Sequence, residues 1–351
     1  MLDESRIRQI LDQLPRLTIA VVGDFFLDKY LDIDGRLTEQ SLETGLDAYQ
    51  VAGVRTSPGA GGTVTNNLAS LGVGRILALT VIGVDGEGFE LKRELAARRV
   101  DLTHVIESTE CRTPTYTKPM LGCDDGPARE LNRLDIKNRQ PMPATLVREI
   151  ARRLDEVVAQ ADAVIVADQV CEPECGVMTL AVRERLAKLG QRYPAKVLFA
   201  DSRERIGLYR NVLVKPNCAE CLRAVGMPDP GSADQAADQT TAEAAARQLS
   251  RCTGRRVFCT IGTGGILVVD GEHLTRVPAF SVKGPIDIVG AGDSTTVGIV
   301  CGLCCGTSPI DAASLGNLVA SITIQQLGTT GTANPDQLID QFRAVAVAPM
   351  G

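Results

Sequence analysis

The sequence has no tryptophan, and aromatic residues make up only 3% of it. So few rings cannot build base-stacking platforms, which argues against single-stranded nucleic acid as a partner. No apolar run approaches the roughly 18–20 residues that cross a bilayer. The opening residues, Met1 to Arg6, lack the basic-then-apolar pattern of a leader. A cytoplasmic protein is therefore expected. Basic blocks are missing as well, and with a net charge of −6 neither a general nucleic-acid binder nor a membrane-surface binder is expected.

What is present is a long, balanced chain. Its 351 residues, 44% hydrophobic and 23% charged, suffice for a large core. No internal repeat or linker divides it, so residues 1–351 are read as a single domain. Eleven cysteines without a leader point to reduced thiols. The spacings Cys218/Cys221, Cys301/Cys304 and Cys171/Cys175 raise a structural zinc as one reading. Against it, Cys301, Cys304 and Cys305 lie in an apolar run, where cysteine acts as a small hydrophobe.

The patterning predicts an α/β fold. Ile7, Ile10, Leu11 and Leu14 give a helix over 4–14, stopped by Pro15. Residues 17–23 form an apolar run like the buried first strand of a parallel sheet. From Pro143 helical and strand patterns alternate: helices over 146–159 and 177–189, strands over 163–167, 197–200 and 212–214. A helix follows over 233–253, a strand–turn–strand over 257–269, and helices over 310–327 and 335–345. This predicts a mainly parallel sheet with helices on both faces. Segments 29–56 and 111–135 alternate differently and read as a small antiparallel sheet projecting as a lid, which would exclude water.

The chemistry gathers in four places. Asp287 to Asp293 is a glycine-hinged loop opening a helix, and such an opening points unpaired N–H groups outward as an anion site. Gly290, Ala291 and Gly292 would supply it, and Asp293 beside it suits a general base for phosphoryl transfer. Asp24 and Asp28 follow the first strand, where carboxylates can accept bonds from sugar hydroxyls. Gly61, Gly62 and Asn66 form a backbone-exposing turn with an amide able to bind a polyol. Asn217 and Glu220 read either as an N-cap with its capping-box partner or as oxygens ordering water around a hard cation. Thr260, Gly262 and Gly265 form a turn able to hold nucleotide phosphates, or simply a tight hairpin.

In order along the chain these stretches resemble the signatures of the ribokinase-like (PfkB) carbohydrate kinases. Gly61, Gly62, Asn66, Ala69, Leu71 and Gly72 match the first signature, and Asp287-Ile288-Val289-Gly290-Ala291-Gly292-Asp293 the second, with Ile288 in place of the usual threonine. Lys215-Pro216-Asn217 leading to Glu220, and the Thr260 to Gly265 turn, fall between them as in that family. Within it, Gly23 to Tyr30 and Leu327 to Gly331 look most like the heptose-phosphate kinase half of bifunctional ADP-heptose synthase. At 351 residues the chain is expected to lack that protein's nucleotidyltransferase half. The resemblance implies ATP, Mg²⁺ placed through water by Asn217 and Glu220, and a monovalent cation such as K⁺ near Asp287 to Val289 and Thr329. It also implies Asp293 as base, Arg112, Lys118 and Arg133 as cations for a phosphorylated acceptor, and a homodimer through the lid. A nucleoside kinase on the same fold and a non-catalytic sugar or nucleotide sensor are the alternatives.

Overall fold

The computed structural model describes residues 2–123, 126–228 and 239–347. Its main sheet has nine strands, in the spatial order His273–Val277, Ile266–Asp270, Val257–Thr260, Leu213–Val214, Val197–Ser202, Ala163–Asp168, Thr18–Gly23, Arg75–Leu79, Val100–Asp101. All neighbours from Val257–Thr260 onward run parallel, and the first three strands are an antiparallel meander at one edge. The strand His273–Val277 was not legible in the sequence, because charged and exposed residues break its apolar run.

Alternation along the first strand divides the interior. Ile19 and Val21 enter one hydrophobic cluster, and Ala20 and Val22 the other. The first cluster is closed by helices Glu4–Gln13, Gly61–Leu71, Gly86–Ala97, Ala291–Cys304, Pro309–Thr323 and Pro335–Val347, the second by Ala144–Gln160, Leu180–Arg192, Cys218–Ala224 and Gln239–Thr253. Such two-sided cover is what continuous apolar strands require. No helix among the described residues is long and apolar enough to cross a membrane.

The helix expected from residue 177 begins only at Leu180. The Val177 N–H donates 2.8 Å to Asp24 Oδ1, which holds that residue in the preceding loop. The expected helix over 233–253 is seen from Gln239, and residues 233–238 lie outside the described residues. The helix expected to reach residue 327 ends at Thr323 and gives way to turns around Gly328.

A second sheet stands above the carboxyl ends of the main strands. It contains Phe25–Ile33, Val51–Ala60, Thr115–Cys123, Gly126–Glu130 and Leu134–Ile136. Its first strand begins at Phe25, ahead of residue 29, since Phe25 and Leu27 are buried in the main core. The expectation of a purely antiparallel lid is corrected: Phe25–Ile33 pairs antiparallel with Val51–Ala60 but parallel with Thr115–Cys123. Both parallel strands leave the same edge of the main body and run outward together. Helix Gly86–Ala97 braces the lid, with Lys29 bonded to Glu90 at 2.9 Å and Thr56 to Glu94 at 3.0 Å.

Candidate active site

The strands' carboxyl ends converge on the first turn of helix Ala291–Cys304. Gly290 caps that helix in the left-handed region, φ 81°, where a side chain would be strained. Thr330 and Thr63 would be in ordinary contact with a Cβ there, at 3.5 and 3.6 Å, so the backbone angle and not crowding calls for glycine. Ala291 N–H donates to Ile288 O at 3.1 Å, so this one of the expected anion donors is already engaged within the loop. The amides of Gly292 and Asp293 are those a helix leaves without an intrahelical partner.

Asp293 is half-buried in that turn. Burial first, and then the Asp201 carboxylate, push its carboxyl up to about 7, against Lys215 and Arg203. Lys215 Nζ lies 2.9 Å from Asp201 Oδ2, and Thr296 Oγ1 donates to the same oxygen at 3.3 Å. Burial opposes the lysine's charge, but Asp201 and then Glu220 outweigh it and hold the ammonium above the ordinary amine value.

Asn217 and Glu220 form a complete capping box. Glu220 N–H donates 2.8 Å to Asn217 Oδ1, and Asn217 N–H donates 2.7 Å to Glu220 Oε2. The capping reading is thus realised geometrically, and it leaves Glu220 Oε1 for other work. Burial and Asp201 raise the Glu220 carboxyl. Thr260 is brought beside this pair by a bridge to Asn217 and by its N–H donating to Pro216 O at 2.9 Å. The following turn needs its glycines: Gly265 has φ 92°, and a Cβ there would stand 2.0 Å from Val277 O. Gly262 is likewise left-handed, with φ 58°. Asp287 ties two loops, accepting from Val289 N–H and Gly328 N–H at 3.0 Å each.

On the acceptor side the expectations divide. Asp28 faces the lid interior with Lys118 Nζ 3.4 Å away, and burial raises its carboxyl against the pull of that lysine. Arg133 stacks over Tyr116, 4.2 Å from the ring centre, and bonds Asp135 at 2.6 Å. Gly61 and Gly62 open helix Gly61–Leu71, where a Cβ on Gly62 would stand 2.3 Å from Pro58 Cβ. One turn on, Asn66 Nδ2 reaches Pro58 O at 3.5 Å, while its buried Oδ1 has no partner. Asn66 lines an open pocket of about 630 Å³ with Ser57, Ser70, Arg99, Thr329 and Thr330.

Two expectations are corrected. Asp24 does not face a sugar site: it is buried, and its oxygens accept three backbone N–H bonds at 2.8 Å each, from Gln169, Val170 and Val177. Strand-end position was the right signal, but here the carboxylate stitches a loop. Arg112 does not join the lid cations. It precedes the lid strand, pinned by backbone bonds to Asn138, with its charge beside Asp85.

Sequence reasoning assigned no role to Lys215, Asp201, Arg203 or Tyr116. Arg203 borders a small cavity with Phe26, Tyr116 and Lys137, and its charge reaches both Tyr116 and Asp293. Asp201 and Lys215 carried a readable signal, each as a charged residue at the end of an apolar strand run. Among the described residues no group of three or more His, Cys, Asp or Glu is placed to hold a metal ion, so the cysteine spacings meet no such cluster there.

The pfkB family carbohydrate kinase model matches residues 19–337. The curated bifunctional protein HldE of Trichlorobacter lovleyi is 27% identical over 351 residues, a match that takes in 96% of this chain and 65% of that protein. The chain therefore spans a little under two thirds of that relative's length. Arabidopsis thaliana ribokinase, solved with ribose and ATP, superposes with a TM-score of 0.66 at 17% identity, covering 93% of this chain and 99% of the other. Escherichia coli phosphofructokinase-2, solved with potassium, gives 0.68 at 18%, covering 94% and 99%. At these identities the solved structures show a shared ribokinase-like fold.

Proposed function

The chain belongs to the pfkB family of carbohydrate kinases, and we propose that it transfers the γ-phosphoryl group of ATP to a hydroxyl of a sugar or sugar phosphate, with Asp293 as general base. The observation that carries this reading is the first turn of helix Ala291–Cys304. There unpaired amides stand beside a carboxylate whose affinity for protons, with a value of about 7, is matched to neutral pH. The acceptor oxygen bonds the γ-phosphorus while its proton passes to Asp293. The bond from that phosphorus to the β–γ bridging oxygen breaks, and ADP leaves with the electron pair. The Gly292 and Asp293 amides stabilise charge on the group in flight.

Asp28 and Asn66 orient the acceptor, and the unpartnered Asn66 Oδ1 supports this reading because a buried amide oxygen without a donor is costly. Lys118, Arg133 and Arg203 suit an anionic acceptor, which favours a sugar phosphate, with a heptose phosphate the first to try. ADP release from Mg-ATP across free sugars, sugar phosphates and nucleosides tests the reading. Turnover with nucleosides alone would reject it.

Thr260 and the Gly262 to Gly265 turn would hold nucleotide phosphates. Asn217 and Glu220 offer hard oxygens, a donor set that fits a Mg²⁺ ion keeping most of its water. Bound there, the ion would neutralise charge on the β- and γ-phosphates. Glu220→Gln keeps a side chain able to complete the capping box but removes its charge. We expect the Mg²⁺ concentration for half-maximal rate to rise by about tenfold. An unchanged Mg²⁺ titration would remove Glu220 from that role. The two loops joined by Asp287 would present carbonyls to K⁺.

The lid also supports a homodimer. Leu37, Leu42, Leu46, Val51 and Val54 are exposed on it, and Val51–Ala60 ends the path of hydrogen-bonded lid strands. Apolar exposure on an edge strand is a liability unless it is covered. Sedimentation is expected to give a dimer for the wild type and a monomer for Leu42→Glu/Leu46→Glu; a monomeric wild type would dismiss the dimer.

A further inference from the structure

Lys215 is an unusual residue to bury. Its side chain is 4% exposed, and three carboxylates face it from three different elements. Asp201 comes from strand Val197–Ser202, Glu220 from helix Cys218–Ala224 and Asp293 from helix Ala291–Cys304. The Cys259 thiol of strand Val257–Thr260 also feels its charge, and Arg203 is the other cation acting on Asp293. A buried ion pair is a poor source of stability, since desolvation offsets most of the attraction. Two apolar side chains in place of the pair would serve the core as well. The arrangement calls for a different reason.

Position supplies one. Lys215 Nζ lies 3.4 Å from where a Cβ on Gly292 would stand, so the ammonium abuts the turn whose amides form the anion site. Three carboxylates around an anion site would repel a triphosphate. Lys215 is the buried cation set among them.

We propose that Lys215 is a further catalytic residue, its ammonium contacting the γ-phosphoryl group through the gap left by Gly292, with Asp201 and Thr296 holding it in place. This rests on the phosphoryl-transfer reading above. Lys215 gives up no proton in the step: the acceptor's proton still goes to Asp293 and the electron pair to ADP. What Lys215 adds is a fixed positive charge where negative charge spreads over the transferring oxygens. Lys, as a point charge, suits this role on a phosphate.

Lys215→Met tests this in the full chain, with Mg-ATP and the acceptor that the wild type turns over. We expect kcat to fall about 10²–10³-fold, the size seen when one preorganised donor is removed. Nucleotide affinity, measured by titration calorimetry with ATP, should change by less than about tenfold, as for an interaction made mainly in the transition state. Because Lys215→Met strands Asp201 and can unfold the site, Asp201→Asn/Lys215→Met is measured beside it. That double variant removes both charges. If it folds, binds ATP and stays slow, Lys215 acts on the reaction. If it recovers wild-type kcat, the lysine only neutralised Asp201 and the proposal is overturned. A Lys215→Met kcat within about tenfold of wild type overturns it too, while leaving the kinase reading intact. A wild type that phosphorylates no acceptor overturns both.

Discussion

Asp293→Asn is expected to lower kcat by about 10²–10⁴-fold, the range that general-base catalysis contributes. The change keeps shape and removes the ability to take a proton. Its helix would hold, because the side chain is not the cap; that place belongs to Gly290. The wild-type pH profile gives an independent check. Burial and Asp201 place the Asp293 carboxyl at about 7, well above its ordinary value, and a base works only when deprotonated. kcat/KM should therefore fall about tenfold per unit as pH drops below about 7, and level off above it. Asp293→Asn should lack that limb. A variant within tenfold of the wild type, with the same acid limb, would place the base elsewhere.

Asp168→Ala is expected to cost about 3–5 kcal/mol of stability, the penalty for stranding one partner of a buried ion pair. Asp168 accepts from Ser202 Oγ at 2.7 Å, Tyr209 Oη at 3.1 Å and Arg205 Nη2 at 2.6 Å. Its side chain is 1% exposed and that of Arg205 13%, so the bared guanidinium would have little water to turn to. The damage would spread. Arg205 also holds the carbonyls of Val170 and Cys171, in the loop whose Gln169, Val170 and Val177 amides bind Asp24. Folded domains are stable by about 5–15 kcal/mol, so this loss is a large share of the total. Urea unfolding followed by circular dichroism reads it directly. A shift under about 1 kcal/mol would mean that water or a rearranged loop replaces Asp168.

The sequence by itself determined the architecture and singled out the stretch proposed to carry the reaction. Apolar runs ending in polar residues predicted parallel strands, because a strand covered on both faces admits nothing else. Asp293, Gly290 and Asn217 were legible because a glycine hinge, a helix start and a capping pair are local events, written within a few neighbouring residues. Membership of the pfkB family was legible for the same reason, as short stretches in a fixed order.

The fold decided what depends on residues far apart in the chain. Asp24 and Asp28 looked alike in sequence. One became a loop anchor because amides 145 and more positions away close on it, and the other faces Lys118 in the lid. Arg112 and Arg133 looked alike too, until the course of the lid strands parted them. The Lys215, Asp201 and Asp293 cluster gathers from two strand ends and a helix start. Long-range electrostatics and burial set the proton affinity of Asp293, and no run of neighbours encodes either.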